Sequence, residues 1–344
     1  MTHLSMIPAI AESHNVFLGF DFSNPWVLLG LKLAAVMVFF LTAPLGVGYA
    51  EHKILAHMQA RLGPMEAGRF HGWAQLIADG VKFIQKEDIV PSAADKAVFV
   101  IAPAMVLVPA IMLFVVLPLG PNGFWVENMD LGLFFALAIS SISVIGMLAA
   151  GWASANKFSL IGAIRGAAQL IAYELPLVLA GAAVAMQAGT LSLPGIVEAQ
   201  QNYWFVFPQI FGFGLFVTAS LAELSRPPFD MPIADSEIIF GHMTEYTGIK
   251  FAFFLLAEYA GIVALSILAV VLYLGGWQGL PFINFIPGPL WTLAKVGALA
   301  FFIIWLRATY PRLREDQLQK MAWKYMIPIA LVNILLTGIF KVVF

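Results

Sequence analysis

Eight runs of about 20 mostly apolar residues, near 26–50, 97–119, 130–152, 166–189, 204–224, 246–274, 289–309 and 321–343, limit what this chain can become. The hydrocarbon core of a bilayer is about 30 Å thick and a helix rises about 1.5 Å per residue, so each run can cross it. Inside lipid the backbone must satisfy its own hydrogen bonds, and runs of this length read as helices. The expected fold is all-α, a polytopic transmembrane bundle of eight spanning helices forming one membrane domain over 1–344. The 61% share of hydrophobic residues agrees. Met1 to Phe22 has no Lys or Arg ahead of an apolar run and no clean small-residue cleavage site, so no cleaved leader is expected. Pro and Gly are scattered and no segment repeats, which does not support an inverted-repeat transporter.

The cations sort by loop. Lys53, Arg61, Arg69, Lys82, Lys86 and Lys96 follow the first run, Lys157 and Arg165 the third, Arg226 and Lys250 the fifth, and Arg307, Arg312, Arg314, Lys320 and Lys324 flank the loop after the seventh. These are 15 of the 18 Lys and Arg. The positive-inside rule places those loops in the cytoplasm and both termini outside, as an even number of crossings requires.

Polar residues inside the runs are costly and therefore informative. Lys32 and Lys295, near Trp26 and Trp291, are expected to snorkel to the outer interface. Glu174 lies nine residues past Arg165 and Glu258 eight past Lys250, both near mid-membrane. One such acid reads equally as a structural, hydrogen-bonded carboxyl. Two, with Glu223 and Glu245 at the inner ends of the fifth and sixth spans, favour proton handling. Tyr173, Tyr246 and Tyr259 adjoin three of these acids but point about 100° away from them, so each is expected to serve another helix.

Two loops stand out. Within 51–96, Trp73, Leu76, Ile77, Val81 and Ile84 recur at helical spacing with Asp79, Lys82 and Lys86 elsewhere, which predicts a short amphipathic helix at the interface. Its apolar face is expected to pack on the bundle; a face shared with lipid would admit a lipophilic substrate. The segment AELSRPPFDMPIADSE (222–237) carries Glu223, Asp230, Asp235 and Glu237 against one Arg226. Pro227, Pro228 and Pro232 bar a regular helix and favour an extended path. Composition reads it as a solvated, proline-stiffened loop; the alternative is a carboxylate cluster suited to exchanging protons.

Absences bound the chemistry. There is no cysteine, which removes thiolate-bound iron–sulfur clusters and zinc sites. His3, His14, His52, His57, His71 and His242 all avoid the middle of the runs, so transmembrane haem is not expected. No Gly-rich loop sits between a strand and a helix, so no bound dinucleotide is expected. The chain is read as binding no cofactor or metal of its own.

AELSRPPFDMPIADSE, followed by GHMTEYTGIKFAFFLLAEYAG, resembles the signature of the quinone-tunnel membrane subunits of type I NADH:quinone oxidoreductase, respiratory complex I, the family that includes mitochondrial subunit 1. EHKILAHMQARLGP, QLIADGVKFIQKE, GWASANKFSLIGAIRGAAQLIAYELPL and RATYPRLREDQL are similar to its other motifs, in the same order from the first span to the C-terminus. The resemblance implies a subunit of the bacterial plasma membrane without a redox centre, with FMN and iron–sulfur clusters on partner subunits. Quinone would enter between the first span, the amphipathic helix and the sixth span, and meet a headgroup site formed with peripheral-arm subunits. Small membrane subunits and antiporter-like subunits would be further partners. The motifs carry Glu51, Lys53, Arg61, Gly63, Pro64 and Asp79 to the tunnel mouth and lining, and Arg226, Pro228, Phe229 and Asp230 to the loop beside the quinone cavity. They carry Glu174, Glu223, Asp235, Glu237, Glu245 and Glu258 to a proton path, with Glu237 and Glu258 expected to be needed for coupling.

Departures from that pattern fall at His52, usually arginine, Met65, usually asparagine, Ile233, usually glutamate, and Asp235, usually the longer acid. Two other readings stay open: the related membrane subunit of energy-converting hydrogenases, and a free-standing proton-coupled transporter.

Overall fold

The computed structural model describes residues 16–17, 20–21, 24–121, 127–279 and 286–343, without the side chains of Val16, Phe17, Phe20, Asp21, Pro25 and Asp235. Among these residues, apart from the antiparallel pairing of Val16–Phe17 (β1) with Phe20–Asp21 (β2), the regular elements are helices. Asn24 accepts a hydrogen bond from the Trp26 amide at 3.0 Å and starts α1 (Pro25–Met58), with Pro25 in the first turn where its missing N–H costs nothing. At 34 residues α1 runs about 51 Å, past the expected end of the first span, and delivers Glu51 and Lys53 on a rigid helix. The stretch expected to form an amphipathic helix contains α2 (Gln75–Gln85). Asp95 caps α3 (Lys96–Val116), and α4 is Gly132–Ala153. Asn156 caps α5 (Lys157–Ala188), which ends on Gly189 at φ 75°. Short α6 (Leu193–Ala199) precedes α7 (Ile210–Glu223). After α8 (Asp235–Ile238) and a 3₁₀ turn at Gly241–Met243 come α9 (Gly248–Tyr273) and α10 (Gly288–Thr309). Last, α11 (Glu315–Lys320) passes through a π turn at Met321–Met326 into α12 (Ile327–Val343).

Among the described residues, seven helical segments are long and apolar enough to cross a membrane: α1, α3, α4, α5, α9, α10 and the stretch from α11 to α12. The expected fifth span is different. Its helix, α7, has 14 residues and rises only about 21 Å, short of a bilayer core. Together with the proline-rich segment after it, α7 runs antiparallel to α5 from one end of that helix to the other. Gln209 donates to the Ala183 carbonyl near the end of α5, and Gln169 donates to the Ala222 and Phe229 carbonyls at 2.7 and 2.8 Å. Arg165 meets Glu237 at 2.6 Å, and Asn156 donates to Glu245. The proline-rich segment is therefore packed on α5 rather than solvated: Ser225, Arg226, Phe229, Met231, Pro232 and Ala234 are buried or nearly so. Nor is it extended, because the Phe229 amide turns back to the Arg226 carbonyl at 2.7 Å. Non-helical backbone is tolerated at such depth only where protein covers it.

The close fit rests on missing side chains. A Cβ on Gly162 would lie 2.5 Å from the Gly241 Cα, and Gly241, at φ 53°, sits directly against the Pro232 carbonyl. Both contacts are with backbone, which cannot swing aside. Gly162→Ala is expected to destabilise the protein by about 1–3 kcal/mol. Gly214→Ala, where an added Cβ meets nothing within 4 Å, should be neutral or slightly stabilising. Thermal denaturation of the purified variants checks both.

The most buried spanning helix is α9, at 72% of its apolar window, against 22% for α1. It forms the axis of the bundle. The two lysines expected to snorkel beside their tryptophans are held within the protein. Lys32 is 8% exposed, and Lys295 donates to the carbonyls of Leu274, Gly276 and Gln278 at 2.6, 3.0 and 2.6 Å, with its ammonium over the Trp204 ring rather than Trp291. Carbonyls at the end of a buried helix need donors, and a cation supplies them where water is excluded. The tyrosines serve other elements, as expected: Tyr173 donates to Leu318 and Tyr246 to Phe99.

Candidate functional site

Three helices and the proline-rich segment converge on Arg226. Its Nη1 meets Glu51 at 2.6 Å and its Nε pairs with Glu258 at 2.8 Å, while the guanidinium lies 4.7 Å from the centre of the Tyr259 ring. Arg307 of α10 pairs with the other Glu51 oxygen. Glu51 is 1% exposed and Arg226 2%. Two carboxylates and two guanidiniums thus balance inside a largely apolar bundle, the condition under which buried charge survives. Only arginine fits at 226, since a planar fork must face two acids and a ring at once.

One cavity is lined by a member of this cluster, Glu258, and another by residues within a turn of its members. The second, of about 380 Å³, lies between α1, α9 and α10 and is lined by Phe39, Gly46, Val263, Leu293, Gly297 and Phe301 among others. Ala50, Ile54 and Ile304 also line it, and each lies within a turn of Glu51 or Arg307 along its helix. The cavity is apolar and comes within a turn of the charges. The other, of about 130 Å³, gathers Glu223, Ser225, His242, Glu258, Ser140 and Ser143 in its lining, with Ile233 in its wall. Glu258 belongs to both arrangements, paired with Arg226 and lining this cavity, whose mostly apolar wall carries a few polar side chains. On the neighbouring turn of α4, Ser141 donates a hydrogen bond to Glu174.

A second set of contacts holds the segment in place. Arg312 meets Asp230 at 2.9 Å and donates to Ser236 at 3.1 Å, and the Leu313 amide donates to the Pro228 carbonyl. Arg165 reaches both Glu237 and Glu315. Phe229 is buried edge-on against Tyr173, with centroids 5.3 Å apart. Glu237 and Glu245 are thereby held against the first half of α5, by Arg165 and Asn156, while Asp235 opens α8.

The remaining expected tunnel residues find partners within 49–82. Lys53 donates to the Pro64 carbonyl and contacts the Met65 sulfur at 3.2 Å, so the methionine departure offers the lysine a weak acceptor. Gly63, at φ 67°, lets the chain turn back on Ala56 and His52. Arg61 is exposed and donates to Gln59. Asp79 accepts from Gln75 and Lys82; burial alone would raise its pKa, but those hydrogen bonds and the charges of Lys82 and His52 hold it below the usual carboxylate range. Along α2 and the turn before it, Trp73, Ile77, Val81 and Ile84 form an exposed stripe, so the apolar face is not packed on the bundle as expected. Leu76 points the other way, toward Gly48.

Arg307, Arg312, Tyr259 and His242 were not among the expected site residues. The two arginines are visible in RATYPRLREDQL, where their charge bears only on topology. No spacing rule links position 307 to 51 or 242 to 258. Among the described residues, no group of three or more His, Asp and Glu gathers as metal ligands.

The family model described as NADH dehydrogenase matches residues 31–338. The H subunit of NADH-quinone oxidoreductase from Geobacillus kaustophilus (strain HTA426) is 44% identical over 313 residues, covering 91% of this chain and 93% of its own. The proteins of the same name from Bacillus thuringiensis (strain Al Hakam) and Bacillus anthracis (strain CDC 684 / NRRL 3495) are 43% identical over 324 residues, covering 94% of this chain and 97% of theirs.

Proposed function

Because this chain belongs to the NADH dehydrogenase family, as a relative of the H subunits of NADH-quinone oxidoreductase, we propose that it guides quinone from the bilayer to the junction with the peripheral arm and couples quinone reduction to proton movement through Glu258. The observation that carries this is the double engagement of Arg226, with Glu51, whose neighbour Ala50 lines an apolar cavity, and with Glu258, which lines a second cavity beside Glu223 and His242. An apolar cavity close to buried charge suits an amphiphile with a long apolar tail and a polar head. A polar head arriving beside Glu51 and Arg307 changes the field at Arg226 and hence the hold on Glu258.

In this reading Lys53, Arg61, Gly63, Pro64 and Asp79 shape the tunnel mouth, and Pro228, Phe229 and Asp230 set the position of Arg226. Glu174, Glu223, Asp235, Glu237 and Glu245 continue the proton path from Glu258. The exposed stripe of α2 lies in the lipid interface beside the mouth. In the same reading α7 and the packed segment after it make an eighth crossing, and the positive-inside rule then has both termini outside and the cation-rich loops in the cytoplasm of a bacterial plasma membrane. The whole chain forms one membrane domain. FMN and iron–sulfur clusters belong to partner subunits, and this chain carries no redox centre.

Titrating NADH oxidation against quinone in the purified assembly, reconstituted in vesicles with a pH-sensitive dye, tests the reading. Saturable quinone-dependent oxidation with proton uptake on one side is expected. A single monodisperse chain without partners, or hydrogenase activity in place of quinone reduction, overturns it. A sharper test uses Gly297, where an added Cβ meets nothing within 4 Å and a larger side chain has room to extend into the apolar cavity. Gly297→Leu is expected to raise the apparent KM for a long-tailed quinone about fivefold, equivalent to about 1 kcal/mol, and to leave that for a tailless analogue unchanged.

A further inference from the structure

His242 is 4% exposed and lines the smaller cavity together with Glu223 and Glu258. Its Nδ1 is buried and has no hydrogen-bond partner within the protein, and the same holds for Glu223 Oε2 and Ser225 Oγ. Burying a polar atom without a partner costs free energy, so these three atoms call for a shared ligand in the space they border. At about 130 Å³ the cavity has room for several water molecules, and its polar side chains supply the two to four partners each water needs. Packing around the imidazole comes from the Phe254 ring, edge-on with centroids 5.4 Å apart. The charged and titratable groups bordering the cavity are Glu223 from α7 and Glu258 from α9, the latter held by Arg226.

We propose that His242 relays protons across this cavity between Glu258 and Glu223. The inference rests on the coupling role proposed above and adds to it a residue and a chemical step. A neutral imidazole accepts on one nitrogen and donates from the other. A proton arriving at the accepting nitrogen, through water from the Glu258 carboxyl, makes a transient imidazolium. Loss of the proton on the other nitrogen to the next acceptor restores the neutral ring as its other tautomer, and rotation or back-exchange resets it. One proton crosses per cycle and no charge accumulates on the ring. Glu223 and Glu258 line the same cavity as the imidazole, so water in that space can link each carboxyl to it.

The test uses the intact assembly in vesicles. His242→Gln keeps a polar side chain of similar reach but has no second nitrogen to release a proton. Proton translocation, with the quinone reduction coupled to it, is expected to fall about tenfold or more. Adding Ile233→Glu to this variant places a titratable group in the same cavity and is expected to restore at least half of the lost rate, which repacking alone would not do. His242→Asn is measured in parallel. Wild-type rates in His242→Gln, or an equally slow double variant at equal assembled yield, overturn the relay. Loss of assembly in both single variants, unrepaired by Ile233→Glu, assigns His242 a packing role and overturns it too. A wild-type assembly that reduces quinone without moving protons overturns the coupling reading instead, and is seen before any variant is made.

Discussion

Replacing Arg226 with leucine is expected to destabilise the protein by about 3–5 kcal/mol and to deplete the assembled complex on a native gel. The loss would exceed that of an ordinary ion pair because one guanidinium serves two acids. Without it Glu258 loses its cationic partner and Glu51 keeps only Arg307, leaving negative charge uncompensated where water is scarce. Arg226→Lys is expected to assemble in part and still to lose most quinone reductase activity. An ammonium meets one acid well but cannot face Glu51 and Glu258 in one plane while stacking on Tyr259. Full activity in the lysine variant would show that charge alone suffices and that the two-sided geometry of Arg226 is incidental.

Glu258→Gln is expected to leave assembly intact and to abolish coupled proton movement, with a loss of about tenfold or more measured in vesicles. The amide is isosteric and keeps a polar oxygen beside Arg226, but it neither holds nor releases a proton. Glu237→Gln separates the two acids that the resemblance treats alike. Glu237 has 45% of its side chain exposed and pairs with Arg165 of α5, whereas Glu258 is enclosed between Arg226 and the smaller cavity. Exposed pairs contribute about 0–1 kcal/mol, so the structural cost at Glu237 is small. Any loss of proton movement in Glu237→Gln then reports on the path itself. Undiminished proton movement in Glu258→Gln would remove Glu258 from that path.

The resemblance carried by the motifs and the family match agree, and the long helices lie where the apolar runs place them. Expectations fail where chain neighbours stand in for spatial surroundings. Tryptophans near in sequence assign Lys32 and Lys295 to the interface, yet Lys295 is taken up by three carbonyls from the segment 274–278. Polarity and prolines suggest a solvated path for 222–237. Gly162 and Gly241 are what allow it to sit against α5, and neither lies in that segment. In the sequence Arg307 is one more loop charge, although its partner lies 256 positions away at Glu51.

Apolar run length and loop charge determined, from the sequence alone, that this chain spans a membrane as helices and which loops carry its cations. These are sums over local windows, and the bilayer responds to them directly. Which polar groups share a buried space was decided only by tertiary structure. In a bundle where every helix is apolar, hydropathy does not distinguish the face toward lipid from the face toward a neighbour. Backbone approach at small residues and the pairing of isolated charges across helices do. Arg226 joined to both Glu51 and Glu258, with His242 and Glu258 lining one cavity, is the product of those pairings.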